Sequence, residues 1–367
     1  MRALGVLILT ILGACSPVPG SLPSVSPAAS QAGVSATGNM TLARATHSAT
    51  LLSNGTVLIA GGYDGDCHIR ETELYDPATR AFRPGPPLSA ERCGHAAITL
   101  GDGRLLLVGG WGIRDPLASA DLFDPVRGTF APTGSMSVAR GGATATLLRD
   151  GTVLVTGGTD GSRMLASAER YDPQSGLFVG AGDMTTPRSA HTATLLADGR
   201  VLIAGGSSAR DTVVSGAEIY DPDSRRFAVT GGMTVVRHKH AAALLPDGRV
   251  LVVGGSDARD WNGRYASAEL YDARRGVFEP TMKMSLSRFK LSDALVALAG
   301  GTVLVAGGAA AVELFDARSA SFSVLPGTFG SSWYFSTATT LRDGSVLVTG
   351  GYDDRVRSTR GAWVVRP

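Results

Sequence analysis

The chain has no excess of charge of either sign. Its 367 residues carry 34 Lys and Arg against 32 Asp and Glu, a net charge of +2. A general role on nucleic acid or on an acidic membrane surface has no electrostatic support, because both depend on many uncompensated cations. Long hydrophobic runs are also missing. After the first fifteen residues no apolar stretch approaches the roughly 20 that a spanning helix needs, so the rest is expected to be soluble. Cysteine occurs only three times, at 15, 67 and 93. No segment has a convincing helical period either, which argues against helix-built classes. Glycine, with 48 residues, is what the chain has in excess.

The glycines are ordered. Gly-Gly pairs stand at 61–62, 109–110, 157–158, 205–206, 254–255, 307–308 and 350–351, at steps of 48, 48, 48, 49, 53 and 43 residues. Self-similarity at that period marks a solenoid, a propeller or an array. Residues 188–222 hold the whole unit. A first strand opens on Arg188, a turn follows at Asp198-Gly199, and an apolar second strand ends in Gly205-Gly206. After a polar loop, a third strand closes on Glu218-Ile219-Tyr220-Asp221-Pro222. Asn-Gly and Asp-Gly between apolar runs are hairpin signals, read here as turns with both central residues at positive φ. Second strands such as Val57-Leu58-Ile59-Ala60 show no alternation, so both faces are expected to be buried. A fourth strand centres on Phe82, Phe130, Phe178, Phe227, Phe278 and Phe322. The class is all-β, with four antiparallel strands per repeat.

The count predicts how the array ends. Seven first-and-second-strand hairpins are present, and the seventh unit, started at Ser332, stops after its third strand, Ala362-Trp363-Val364-Val365. At the other end, residues 34–40 precede Arg44 as residues 130–136 precede Arg140, an orphan fourth strand. Pairing the two would close a ring and remove the open edges. Residues 33–367 are therefore expected to form a seven-bladed propeller.

The N-terminus reads as processing signal rather than fold. Residues 1–14 have one Arg, an apolar core from Leu4 to Leu12 and a small-residue exit, as in a signal peptide. Leu12-Gly13-Ala14-Cys15 resembles the bacterial lipobox, which implies cleavage before Cys15 and acylation of it. Ser16 in place of Asp implies, by the same resemblance, an outer-membrane lipoprotein. Residues 15–32, rich in Ser, Pro and Ala, read as a tether.

The Gly-Gly ends, the Tyr-Asp-Pro after the third strand and the fourth-strand aromatic together resemble Kelch repeats over about residues 34–367. Phe stands where the family usually has Trp, and the sixth and seventh units lose the Arg/His pattern. In Kelch modules that read acidic peptides, arginines at this register line the binding surface. The resemblance thus places Arg44, Arg92, Arg140, Arg188, Arg237 and Arg288 on a ligand face. The other reading is pairing with nearby acids such as Asp64, Asp160 or Asp353. The loops after the glycine pairs open on the same face and add Tyr63, Trp111, Arg259, Trp261 and Arg264. The nearly absent sixth loop, residues 309–312, is expected to leave a gap for a ligand beside the fifth.

Other features have plainer readings. The Gly-Gly pairs lack the following helix of a phosphate loop and are expected to let blades approach closely. Ser287-Arg288-Phe289-Lys290 has the S-x-x-K spacing but sits on a first strand rather than at a helix start. His47, His95, His191 and His240 share one register, read as hydrogen-bond partners of a buried backbone group or of the neighbouring blade, for example its third-strand carboxylate, rather than as metal ligands. Glu73, Asp121, Glu169, Glu218, Glu269 and Glu313 recur once per blade and read as buried partners of Arg or His. Cys67 and Cys93 are expected to form one disulfide.

The function expected is a membrane-tethered, extracytoplasmic binding protein, a monomer, for a protein, peptide or glycan, with no cofactor, metal or nucleic acid. The alternative is a sugar-acting enzyme related to Kelch-propeller mutarotases or galactose oxidase. The copper version would need a Tyr–Cys crosslink and a Tyr/His metal set.

Overall fold

The computed structural model describes residues 32–367, which form one compact unit. The signal peptide, Cys15 and the tether lie outside the described residues. Seven four-stranded antiparallel sheets follow one another in chain order, with a small extra hairpin of Ser207–Ala209 and Thr212–Val213. Blade 1 comprises Ser48–Leu51, Val57–Ala60, Thr72–Asp76 and Ala81–Pro84, and blades 2 to 6 repeat that order. Two 3-10 turns, Asp260–Asn262 and Ala299–Gly301, are the helical elements among the described residues. The first strands of neighbouring blades touch one another in an unbroken circle, from blade 1 through blade 7 and back. The molecule is a closed seven-bladed propeller.

Closure works as the strand count predicts. Gly33–Ala36 pairs antiparallel with Ala362–Arg366, Gly33 facing Arg366 and Ala36 facing Trp363, and so completes blade 7 as its outer strand.

The core lies between blades rather than inside them. All four residues of second strands such as Val57–Ala60 and Leu105–Val108 are buried, and alternate side chains serve alternate neighbours. Leu58 and Ala60 pack with Leu105, Leu107 and Phe123 of blade 2, whereas Val57 and Ile59 pack with Leu347 and Val364 of blade 7. Each such side chain contributes on the order of 1.5–3 kcal/mol by leaving water. On the outer strands the recurring Phe pairs across the sheet with the third-strand aromatic. Tyr75 and Phe82 have centroids 4.8 Å apart, and Phe315 and Phe322 are 4.9 Å apart.

The hairpin turns differ from the expectation in one respect. Only the glycine has positive φ, +90° at Gly55, while Asn54 does not. The Asn side chain instead accepts the Thr56 N–H at 3.0 Å, and Gly55 N–H returns to Leu52 O at 2.9 Å. Asp102, Asp150, Asp198, Asp247 and Asp343 do the same two residues ahead. The carboxylate is there to satisfy the backbone, not to reach a left-handed φ.

The Gly-Gly pairs are spacers. A Cβ on Gly61 would stand 2.3 Å from Arg92 O in the next blade, and the same clash recurs between Gly205 and Arg237 O at 2.5 Å. Only glycine lets the second-strand end meet the next inner strand.

Candidate functional site

The arginine ring is not a ligand surface. All six arginines are buried, Arg44, Arg92, Arg140, Arg237 and Arg288 completely and Arg188 at 1% exposure. Each points back into its own blade and meets the third-strand acid. The pairs are Arg44–Glu73 at 2.8 Å, Arg92–Asp121 at 3.3 Å, Arg140–Glu169 at 3.0 Å, Arg188–Glu218 at 2.8 Å, Arg237–Glu269 at 2.7 Å and Arg288–Glu313 at 3.1 Å. Nη1 also donates to the carbonyl of the first glycine of the pair, as in Arg44 to Gly61 O at 2.7 Å. The partners are the third-strand acids, not Asp64, Asp160 or Asp353. The expectation drawn from peptide-reading Kelch modules fails because a buried carboxylate within reach satisfies the guanidinium.

The ring histidines are likewise internal. His47 Nε2 lies 2.9 Å from Thr349 Oγ1, His95 Nε2 3.0 Å from Ser48 Oγ, and His191 Nε2 2.9 Å from Thr156 Oγ1. His240 Nε2 lies 3.1 Å from Thr192 Oγ1. Each bond reaches the preceding blade, through a hydroxyl rather than a carboxylate. Burial, then the neighbouring Arg44 or Arg237, pushes His47 and His240 well below the usual range. The same burial holds His95 and His191 down to about 3.

Next to the axis runs a collar two residues after each of the six arginines and, in blade 7, two after Trp333. Thr46, Gly94, Gly142, Ala190, Lys239, Lys290 and Phe335 all have positive φ, between +50° and +63°. Backbone bonds link the collar around the mouth of the channel. Thr46 N–H donates to Phe335 O, Phe335 N–H to Lys290 O, and Lys239 N–H to Ala190 O. The collar is lopsided. Three glycine or alanine residues occupy blades 2 to 4, and two lysines and a phenylalanine occupy blades 5 to 7.

On the bulky side the loops assemble an aromatic cluster. Phe289, Tyr334 and Tyr352 are buried with Ala45, and Tyr63, Trp261 and Phe335 pack on them, half-buried. Trp261 meets Tyr334 edge-on at 4.8 Å and Phe289 at 5.0 Å. The Lys290 ammonium sits 3.8 Å from the Trp261 ring centroid and 4.6 Å from that of Phe289, a cation–π arrangement. Asp260, held at φ +49°, accepts Lys239 Nζ at 2.8 Å and stands 3.7 Å from Lys290 Nζ. Burial lowers Lys290 to about 8, with Asp260 opposing the shift. Burial works against the Asp260 carboxylate, but the hydrogen bond from Lys239, the nearby His238 and the charge of Lys239 and Lys290 override it and hold the group ionised. Tyr334 OH donates to Asp354 Oδ1 at 2.8 Å and receives Arg264 Nη1 at 2.8 Å; burial, then Asp354, pushes it up to about 12.

Of the loop residues singled out from sequence, the structure thus brings together Tyr63, Trp261 and Arg264. Trp111 belongs to blade 2 and turns away from the cluster toward blade 3, its ring 2.4 Å from where a Cβ on Gly141 would stand. Arg259 is exposed and chelates Asp257, at 2.6 Å through Nη2. Cys67 and Cys93 are joined, with Cα atoms 5.2 Å apart, and tie the first loop to the inner strand of blade 2. The sixth loop is partly covered by Phe329. Phe329 N–H binds Ala310 O at 2.8 Å and Phe329 packs on Trp363, so the blade 7 side of the short loop is closed.

Sequence reasoning pointed to the loops that carry Asp260 and Tyr352 but missed Lys239, Phe289, Lys290, Tyr334 and Phe335. The signal was present as departure from the repeat. Where other units have Ala45-Thr46, Gly141-Gly142 or Ser189-Ala190, units six and seven have Phe289-Lys290 and Tyr334-Phe335.

Residues 44–89 match the Kelch motif. No curated protein matches the chain. Among solved structures, the chain is similar to a fungal alcohol oxidase of the AA5 family determined in complex with copper. The TM-score is 0.73 at 17% identity, over 92% of this chain and 77% of that one. The likeness is one of fold. Among the described residues no three His, Cys, Asp or Glu side chains converge on one point. Both described cysteines are spent on each other, and four of the six histidines are locked between blades.

Proposed function

We propose that this Kelch-type propeller is an extracytoplasmic binding protein, tethered through Cys15, whose ligand site is the loop face over blades 5, 6, 7 and 1. The lipobox-like start supports the tether. One observation carries the binding reading. Half-buried Trp261, Tyr63 and Phe335 stand beside Lys239, Asp260 and exposed Arg264, over a collar that carries Lys239, Lys290 and Phe335 where blades 2 to 4 carry glycine or alanine. Ring faces next to fixed donors and acceptors are what a glycan uses, stacking its C–H face while its hydroxyls bond to charged groups. The ligand class we favour is therefore a glycan, with a peptide or protein as the competing outcome.

A thermal-shift series on the protein tests this with neutral, amino and acidic oligosaccharides and with charged peptides. A ligand at about 100 times its Kd adds about 2.7 kcal/mol to the folded state. The expected result is a glycan that raises Tm in the parent and not in Trp261→Ala. Stabilisation by peptides alone would replace glycan with peptide. A response unchanged in Trp261→Ala would remove this face from the reading.

A further inference from the structure

Three residues from separate segments meet at the edge of the small side of the collar. Ser207 follows the Gly-Gly of blade 4, His238 follows Arg237 at the start of blade 5, and Asp260 is in the fifth loop. Ser207 Oγ lies 2.7 Å from His238 Nδ1. His238 Nε2 stands 3.5 Å from Asp260 Oδ1 and has no other polar partner. Asp260 is itself fixed by Lys239 Nζ at 2.8 Å.

This histidine differs from the four of the ring. Those spend Nε2 on a hydroxyl, leave Nδ1 without a partner, and have no carboxylate behind them. His238 does the reverse. With Asp260 facing Nε2, the proton belongs on that nitrogen, and Nδ1 is left with its lone pair toward the serine hydroxyl. The contact to Asp260 is longer than a formed hydrogen bond, as such contacts often are before a substrate is bound. Position is also telling. Other blades have Ala45, Cys93, Gly141, Ser189, Phe289 and Tyr334 where blade 5 has His238, so the blade fold does not require an imidazole there. Ser207 itself is 8% exposed, the collar residue of its own blade is Ala190, and Lys239 of the next blade is tied to Asp260, so a slim group can approach from the axis.

We infer that Ser207, His238 and Asp260 form a nucleophile–base–orienting set that accepts an acyl group from a small carboxylic ester. As Ser207 Oγ bonds to the ester carbonyl carbon, its proton passes to His238 Nδ1. The ester C–O bond breaks and the alcohol leaves with that proton. Water, deprotonated by the same nitrogen, then releases the acid and restores the serine. No oxidant, reductant or metal enters the balance. The inference does not rest on the glycan reading and can fail without it.

The test uses the intact protein with a fluorophosphonate probe and with p-nitrophenyl acetate. The expected result is a single adduct mapped to Ser207, a labelling rate that rises with pH, and release of nitrophenol that Ser207→Ala abolishes. His238→Gln should slow labelling by about 100-fold or more and flatten its pH dependence. Asp260→Asn should slow it less, by about tenfold. Folding of each variant is followed by its melting transition, and the parent alone suffices if a variant does not fold. No adduct at Ser207 in the native parent, or a rate unchanged in folded His238→Gln, overturns the inference and leaves the contact an inter-blade latch.

Discussion

At the scale of the residue, Arg188 shows what a buried cation requires. Nη1 donates to Gly205 O at 2.8 Å and to Gly216 O at 2.9 Å, while Nη2 reaches Glu218 Oε1 at 2.8 Å. The other oxygen of Glu218 takes the Thr185 N–H at 2.7 Å. Deleting the guanidinium strands a buried carboxylate and two carbonyls, so Arg188→Ala should lose about 3–5 kcal/mol in denaturant unfolding. Arg188→Met combined with Glu218→Leu should recover much of that loss, since no charge is then left unpaired. Equal losses in the single and double variants would show that the pair matters by shape alone. Asp293 presents the opposite case. It lines a cavity of 190 Å³ in the central channel with Ser48, Thr50, His95, Ser292 and Thr337, and no cation stands against it. Water reaches the carboxyl from the channel, yet protein surrounds it, and burial pushes it up to about 6. A carboxyl raised in the folded state favours folding when protonated and opposes it when ionised. That favourable contribution is complete below the unfolded value of about 3.9 and is lost as pH rises through about 6. Asp293→Asn should therefore raise Tm at pH 7.5, with the gain shrinking to nothing near pH 4. A gain that is flat with pH would mean that the carboxyl is not destabilised by burial.

At the scale of the element, the strands were legible and their partners were not. Period, turns and apolar runs fix four strands per blade because each is a local pattern. The Arg and the acid of each blade were both visible as repeats, but they lie 29 residues apart in Arg44 and Glu73, and only the folded sheet shows that they meet. Blade 7 makes the same point through an exception. The inner-strand register there is one residue later than alignment from Ser332 suggests. Gly308 N–H binds Trp333 O, as Gly62 N–H binds Arg92 O, so Trp333 holds the place of the arginine. Trp363, opposite Val348 as Glu73 is opposite Ile59, holds the place of the acid. The two indoles pack with centroids 6.0 Å apart, an apolar pair where six blades have an ion pair. The same release from the repeat lets Tyr334, Phe335, Phe289 and Lys290 gather at the axis. A reading that rewards matches to the repeat looks past them, because a site on a symmetric scaffold is written in what breaks the symmetry.

At the scale of the whole molecule, the ring depends on a strand with no covalent tie to its blade. Gly33–Ala36 is held by its ladder to Ala362–Arg366, by Val34 N–H to Pro326 O at 3.0 Å, and by Met40, which is buried in the core between blades 7 and 1. Without it the outer edge of Ala362–Arg366 would be open, and the packing of blade 7 on blade 1 would lose Met40. Neighbouring blades share each hydrophobic cluster, so stability lies in the seams, and a defect in one seam frees two blades. Deletion of residues 33–41 should therefore cost more than its own contacts. We expect a broadened melting transition several degrees lower, with hydrogen exchange rising first in Val346–Thr349 and Val57–Ala60 on either side of the seam. A sharp transition at the parent temperature would mean that six blades and a three-stranded seventh close the ring unaided. Exchange rising evenly over all blades would mean instead that the ring opens as a single unit, with no seam weaker than another.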